Sequence, residues 1–130
     1  MATGLAVGEA NAILDALCRS VAYSDPAGFY VKLHTGDPGA AGATAAAGET
    51  TRQAVTFSAA SGGAITNSAA VTWTNVSTTE TISHVSFWSA AVAGTFLGSD
   101  ALNSSRALTA GDTFEIAIGD LDLSITAIAA

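Results

Sequence analysis

Short runs of alternating apolar and polar residues fill most of the chain between Thr51 and Leu123. A period of two is typical of a strand that buries one face. The runs are separated by residues that favour turns, chiefly Gly, Asn, Ser and Asp. They lie at residues 53–59, 64–66, 69–75, 81–89, 94–98, 101–109, 113–119 and 121–126. Together they predict an antiparallel β-sandwich of about eight short strands, immunoglobulin-like or jelly-roll-like.

A first strand is predicted at residues 29–34, where Phe29, Val31 and Leu33 share one face. The Gly and Pro residues between Thr35 and Gly39 then favour a turn. Residues 40–50 read AAGATAAAGET, which is too small and too rich in Gly to pack a core alone. We therefore expect a surface loop over residues 35–51, mobile in the isolated chain and ordered by a partner.

A single helix is predicted at residues 6–21, ahead of the strands. Its apolar residues recur at intervals of three and four and form one stripe: Val7, Ala10, Ile13, Leu14, Leu17, Cys18 and Val21. Asp15 is placed to pair with Arg19 one turn later. We expect the stripe to cover an open end or edge of the sandwich; the alternative is a face that docks onto another subunit. Cys18 is expected to be buried as a small apolar residue.

The alternation slips in the longest run, residues 81–89. Ile82, His84 and Trp88 share one phase, while Val85 and Phe87 share the other. Either a β-bulge near His84 or burial of both faces explains this pattern.

Most aromatic residues fall on the core phases of the predicted strands. They are Phe57, Trp73, Phe87, Trp88, Phe96 and Phe114. We expect Phe57, Trp73, Phe87 and Phe114 to be largely buried. A sugar-binding platform needs an aromatic residue on an outward phase, and Trp88 is the candidate for that role.

Composition limits the classes of function. The 130 residues fit one domain, residues 1–130, with the sandwich at 29–126. A net charge of −7 argues against binding to nucleic acid or to anionic membranes. Charged residues make up 12% of the chain, well below the usual share of about 25%. Such a surface suits packing against neighbouring subunits.

Targeting features and disulfides are not expected. The N-terminus lacks a basic segment, and no run approaches the ~18 apolar residues of a membrane span. One cysteine cannot form an internal disulfide. These features predict synthesis and assembly in a cytoplasm.

No metal site is predicted from the acidic residues and histidines. His34 and His84 lie far apart without a third ligand at a recognisable spacing. Asp112, Asp120 and Asp122 could hold a calcium ion, yet they lack the spacing of a known calcium loop. We expect structural histidines and a solvated acidic edge, which also discourages strand aggregation.

No catalytic or cofactor-binding residue is predicted either. Glu49, Glu80 and Glu115 are scattered, so they do not indicate the facing carboxylates of a glycosidase. The chain has no GxSxG elbow, Walker loop or GxGxxG fingerprint. The residue types therefore favour a protein that acts through shape and contact.

The order of segments resembles a family of small virion proteins of tailed bacteriophages: tail fibre or minor tail proteins, and in some cases head decoration proteins. The segments that carry the resemblance are YVKLHTGDPG at 30–39, TRQAVTF at 51–57, GGAITNSAAVTW at 62–73, TISHVSFWSA at 81–90 and ALTAGDTFEIAIGDLDLSI at 107–125. Together with the helix they cover nearly the whole chain. They are structural motifs and bring no catalytic residues.

The resemblance implies a non-enzymatic structural protein of the virion, associated with the tail. Its partners would be other tail or capsid subunits, and copies would form a trimer or ring. The alternatives are a capsid decoration protein and a carbohydrate-binding module for host glycans. We expect the assembly contacts in the N-terminal segment and in the loop at residues 39–50.

Overall fold

The computed structural model describes residues 3–125 and has one helix and nine strands within them. In chain order the elements are β1 (Gly4–Leu5), α1 (Val7–Arg19), β2 (Tyr30–His34), β3 (Gln53–Ala54), β4 (Ala64–Thr66), β5 (Val71–Trp73), β6 (Glu80–Trp88), β7 (Phe96–Leu108), β8 (Phe114–Ile116) and β9 (Asp122–Ser124). The fold is mainly β with one N-terminal helix, which confirms the predicted fold class.

All strand pairs within these residues are antiparallel. Five strands form one sheet in the order β1-β7-β6-β2-β3. The strands β4 and β9 form one two-stranded ladder, and β5 and β8 form another. Buried side chains of the β5–β8 ladder join those of the large sheet in one continuous core, as expected for a sandwich.

The core follows from the period-two pattern. On β2, Val31 lies opposite Phe87 and Leu33 lies opposite Val85 on β6, so these four side chains share the inner face. Each is fully buried, and burial of such a side chain stabilises the fold by about 1.5–3 kcal/mol. Across the core, Trp73 of β5 lies opposite Phe114 of β8.

The predicted burial of the aromatic residues is confirmed for three of the four. Trp73, Phe87 and Phe114 are buried, whereas Phe57 is only half-buried. Phe57 lies outside the regular strands, in an isolated bridge to Asn67, and packs edge-on against Phe29 at 4.9 Å between ring centroids. Its position at the rim of the core leaves one side in solvent.

The slipped alternation of residues 81–89 reflects both of the predicted causes. The pairing of β6 with β7 shifts between Ile82 and His84 and again between Phe87 and Trp88. At the first shift, residues 102–105 have no partner on β6. The outer face is also covered, because Ser86 on that face is fully buried.

Several strand bounds differ from the prediction. The runs predicted as two strands at 94–98 and 101–109 form one strand, β7. The pairing of β7 with β6 is interrupted at residues 102–105. The runs at 53–59, 113–119 and 121–126 give shorter strands, since neighbouring segments pair with only part of each. Thr126 lies outside the described residues. The strand β1 was not predicted, because two residues carry no detectable period.

The Ala-rich segment is a surface loop, as predicted, but it is tied to the sheet without a partner. Thr35 N–H donates to Ala45 O at 2.8 Å, and Ala47 N–H donates to Leu33 O at 3.1 Å. Within the loop over residues 35–51, Pro38 and Ala47 are buried. The expectation that a partner orders this loop is therefore not supported, because its backbone supplies the hydrogen bonds that its small side chains cannot.

Cys18 is exposed, and the prediction that it is buried was wrong. The helix α1 lies at the β1 edge of the large sheet and contacts β7. None of its residues is fully buried. Cys18 falls on the side of the helix that faces away from the sheet, so its apolar neighbours in sequence do not cover it.

Candidate assembly surface

A row of apolar residues lies along one side of α1 and is here called the outer stripe: Val7, Ala10, Leu14 and Leu17, with Val21 just beyond the C-terminal end of the helix. Ala10 is half-buried, and the other four side chains are exposed. The exposed fraction is 69% for Val7, 57% for Leu14 and 79% for Leu17. Contiguous exposed apolar residues on a soluble protein mark contact surfaces. The structure thus places the predicted stripe at the edge of the sandwich and leaves much of it uncovered.

The position of the helix is fixed by its N-terminal end. Gly4 and Leu5 of β1 pair with Ser99 and Gly98 of β7, and Ala6 N–H donates to Leu97 O at 2.9 Å. This short strand leads directly into the helix. Six residues of the helix are half-buried: Glu9, Ala10, Ala12, Ile13, Asp15 and Ala16. The sheet therefore anchors α1 without burying its outer stripe.

An apolar groove adjoins the outer stripe. It lies between α1 and the β4–β9 ladder and is lined chiefly by Leu5, Ile13, Ile65, Leu123 and Ile125. Ala10 and Leu14 of the outer stripe border its continuation along the helix. The outer stripe and this groove together are called the assembly surface below.

Charged groups of this region are paired away from the outer stripe. Arg19 donates to Asp15 at 3.2 Å, which confirms the predicted pair. The Tyr23 hydroxyl donates to Glu9 at 2.5 Å, and this bond, with burial and the nearby carboxylates, raises the pKa of Tyr23 to about 12. The Tyr23–Glu9 bond ties the segment after the helix to α1, whereas the Arg19–Asp15 pair lies within the helix.

The structure brings together a buried Ser–His pair that the sequence did not indicate. Nε2 of His34 lies 2.7 Å from Ser86 Oγ, and Nδ1 lies 2.9 Å from Thr44 O. The Trp88 indole N–H also donates to Ser86 Oγ at 2.7 Å. His34 and Ser86 are both fully buried, so the pair has no surface from which a substrate could approach.

Two carboxylates that are distant in sequence meet at the end of the Ala-rich loop. Glu80 accepts the N–H groups of Gly48 and Glu49 at 3.0 and 3.2 Å and the hydroxyl of Thr78. Glu49 accepts the N–H groups of Thr51 and Ser77. Burial disfavours the charged form of Glu80, but these hydrogen bonds outweigh it and lower the pKa of Glu80. Both carboxylates thus accept hydrogen bonds from backbone N–H groups.

Of the remaining acidic candidates, two accept hydrogen bonds within the protein and two are exposed. Asp112 accepts Thr109 N–H at 2.8 Å in the turn before β8, and Asp120 accepts the Asn103 amide at 3.1 Å. Asp122 is exposed, and its N–H donates to Asp100. Glu115 is exposed on β8. Within residues 3–125, no three His, Cys, Asp or Glu side chains are grouped so as to hold a metal ion.

The two histidines lie opposite each other, on β2 and β6, although they are 50 positions apart in sequence. His84 is half-buried, and its Nδ1 lies 2.8 Å from Ser83 Oγ. Burial lowers the pKa of His34, and the charges of Lys32 and His84 act in the same direction, so His34 is neutral at neutral pH.

Trp88 does not offer a free aromatic platform. The Arg52 guanidinium lies 4.3 Å from the centre of its ring, and Phe96 packs beside it at 5.5 Å between ring centroids. Arg52 also donates to Ala90 O and Ala93 O, which fixes the hairpin between β6 and β7. Trp88 is therefore engaged in internal packing and a cation–π contact.

The sequence also matches a known protein family. Residues 6–124 match the model of the family described as podophage GP4 fiber I protein gp80. The chain belongs to this phage fibre family. The match runs from α1 to β9 and thus includes nearly all of the described fold, and it confirms the resemblance to tail fibre proteins.

Membership of this fibre family makes the chain a structural protein associated with the phage tail and therefore a virion component. The curated proteins include no significant match to it. Among residues 3–125, no helix has the length and apolar character needed to cross a bilayer. The exposed apolar residues around α1 are the candidate contact with other subunits.

Proposed function

We propose that this fibre-family chain is a non-enzymatic subunit that is held in the phage tail by contacts through the assembly surface. The observation that carries the proposal is the outer stripe of α1, where three large apolar side chains are more than half exposed beside an apolar groove. Burial of the exposed part of such side chains against a neighbour would contribute about 25 cal/mol per Å² of apolar surface, opposed by the entropic cost of association. The same chain would assemble into the virion in the host cytoplasm.

A non-enzymatic role is supported by how the polar residues are used. The Ser86–His34 pair is sealed inside the protein, and Glu49 and Glu80 bind backbone N–H groups. Within the described part of the chain, every buried side-chain nitrogen or oxygen has a hydrogen-bond partner. Active sites usually keep reactive groups accessible in a cleft, and these groups are not placed in that way.

The other two roles have less support. A capsid decoration protein would use the same kind of surface, but the family match is to a fibre protein. A carbohydrate-binding module needs an open aromatic face, whereas Arg52 and Phe96 pack against Trp88. A tail-fibre subunit is therefore the role that the observations favour.

The proposal is tested by introducing a charge into the outer stripe. Leu17→Glu changes a side chain that is 79% exposed, so the free energy of unfolding should change by only about 0.5 kcal/mol. The matched control is Val92→Glu, since Val92 is 83% exposed in the hairpin between β6 and β7. The copy number of each variant is measured by quantitative mass spectrometry of purified particles.

We expect Leu17→Glu to be lost from particles and Val92→Glu to be retained. Burying an unpaired carboxylate in an apolar contact costs several kcal/mol, which a contact of this size cannot offset. Incorporation of a folded Leu17→Glu protein at the wild-type copy number would show that the assembly surface is not the contact.

A further inference from the structure

We propose that the assembly surface is occupied by the same surface of a second copy of this chain, with α1 packed against α1. The inference rests on the proposed function and adds the identity of the partner. It is carried by the spacing of the exposed apolar residues, by the absence of charge beside them and by the rigid attachment of the helix.

The spacing of the outer stripe is that of a helix-packing seam. Val7, Ala10, Leu14 and Leu17 follow one another at intervals of three, four and three residues. These are the a and d positions of a heptad pattern, with Val7 and Leu14 at a and Ala10 and Leu17 at d. Val21 lies beyond the end of the helix and extends the apolar surface there. Side chains at this spacing interlock with those of a facing helix, so the geometry fits a helical partner better than a strand.

The seam is short, and the groove makes up for its length. The helix has 13 residues, so the seam spans less than two heptads and would be weak alone, since the heptad pattern of a coiled coil is sustained over about three or four heptads. Here the groove continues the apolar surface beyond the helix, through Leu5 and Ile125 at its border with Ala10 and Leu14. A facing helix would therefore contact both α1 and the sheet beside it.

The charges around the seam favour an identical partner. The flanking e and g positions of the helix hold Asn11, Ile13 and Cys18, none of which is Asp, Glu, Lys or Arg. Acidic side chains at these positions would repel their counterparts in a second copy of a chain whose net charge is −7. A partner selected by charge would instead need ionic groups along these edges.

The charged residues of α1 point to the same conclusion. Glu9, Asp15 and Arg19 fall at the b, c and f positions, away from the seam. Glu9 is bonded to Tyr23 and Asp15 to Arg19, so these groups are already paired within one copy. Two copies can therefore approach through the seam without bringing unpaired carboxylates together.

The helix is already formed and oriented in the single chain. Its first turn follows the bond from Ala6 N–H to Leu97 O, and Val21 is held at its other end by a bond to Asp15 O at 3.3 Å. Pairing would thus order few additional groups, which lowers the entropic cost of association.

The first test is the mass of the purified chain by sedimentation over a range of concentrations. The wild-type chain and Val92→Glu should shift from one copy to two or more as the concentration rises. Leu17→Glu should remain a single copy at every concentration, because two facing carboxylates would be buried in the seam. A wild-type chain that stays a single copy throughout would overturn the inference.

Cys18 provides a second test that does not depend on a disruptive variant. It is exposed in the single chain and lies beside the seam, so pairing should slow its alkylation by a thiol reagent as the concentration rises. As the control, a Cys18→Ser, Val92→Cys protein should react at one rate at all concentrations. A concentration-independent rate at Cys18 would contradict pairing through α1.

The outcomes separate this inference from the proposed function. If Leu17→Glu is lost from particles while the wild-type chain never self-associates, the surface binds a different virion protein and only the inference fails. If the wild-type chain pairs through α1 but Leu17→Glu still enters particles, the inference stands and the proposed role of the surface in tail assembly fails.

Discussion

The hydroxyl oxygen of Ser86 lies 2.7 Å from Nε2 of His34, although the two residues are 52 positions apart in the chain. Trp88 can only donate to this oxygen, so the Ser86 hydrogen is free to reach His34 Nε2. Nδ1 then carries the ring hydrogen and donates to Thr44 O. In the neutral ring the bonding thus selects the tautomer with its hydrogen on Nδ1, and that ring fastens the Ala-rich loop to the sheet.

The neutral state of His34 predicts a loss of stability in mild acid. Because burial lowers its pKa below 6.5 in the folded protein, the unfolded chain binds the proton first as the pH falls. The free energy of unfolding should therefore decrease from pH 6.5 down to the folded pKa, by up to about 1.4 kcal/mol for each pH unit. Urea unfolding at pH 7.5 and 5.5 measures the change.

A pair of variants assigns this pH dependence. His34→Asn should be less stable at pH 7.5 but should lose the decline between the two pH values. His84→Asn, the matched change on the facing strand, should keep it because His34 is retained. An unchanged decline in His34→Asn would show that another group is responsible.

Glu80→Gln should weaken the other end of the loop. The neutral amide cannot replace a carboxylate that accepts from Gly48, Glu49 and Thr78, so we expect a loss of about 1–3 kcal/mol at pH 7. The pKa of Glu80 is lowered on folding, so its contribution is present above pH 4.5 and is lost as the pH falls through the folded pKa. The gap between wild type and variant should therefore shrink in acid.

Glu115→Gln is the matched control for this prediction, because Glu115 is exposed on β8. It should unfold at nearly the same urea concentration as the wild type. Equal effects of the two substitutions would argue that the Glu80 hydrogen bonds do not stabilise the loop.

Gly42→Ala tests whether the loop packs on the sheet. A methyl group at Gly42 would come within 2.7 Å of the Phe96 ring, and its φ of +71° adds backbone strain. Gly62 has a similar φ of +62° but open space around it. Gly62→Ala should cost about 1–2 kcal/mol for the backbone alone, and Gly42→Ala should cost a further ~1–3 kcal/mol. Equal losses in urea unfolding would mean that the loop does not contact Phe96.

Phe87→Ala should cost about 3–5 kcal/mol, because Phe87 is fully buried between Val31 and Phe29. Phe57→Ala should cost less, since one side of Phe57 is in solvent. The difference is read from thermal or urea unfolding. A loss at Phe87 no larger than that at Phe57 would contradict the inner face assigned to β6.

The parts of the fold that depend on local periodicity could be predicted. The alternation of Val31 and Leu33, and of Val85 and Phe87, identifies the strand faces that pair across β2 and β6. The spacing of Asp15 and Arg19 predicts their contact for the same reason.

Contacts that join distant segments could not be predicted in this way. Asn67 looks like a turn residue, yet its buried side chain accepts from Gly119 and Leu121 and donates to Ala117. Nothing near Asn67 in the sequence indicates these partners, because they are brought to it by the pairing of β4 with β9.

The sequence also could not predict which side of α1 faces the sheet. A helical stripe shows which side chains share a side of the helix, but the sheet decides which side it covers. In the structure Ala12 and Ala16 are half-buried, whereas Leu17 and Cys18 are exposed. This is why the buried position expected for Cys18 was wrong, and why the structure was needed to show which residues of the predicted stripe are exposed.

Contacts through the outer stripe of α1 should hold this chain in the tail. A cryo-electron microscopy reconstruction of the particle, at a resolution that shows side chains, would show them. We expect density for this fold in the tail, with Val7, Leu14 and Leu17 buried against a neighbouring subunit. Density for the fold on the capsid would contradict a role in the tail. Density for the fold in the tail, with these three side chains facing solvent, would contradict a contact through the outer stripe.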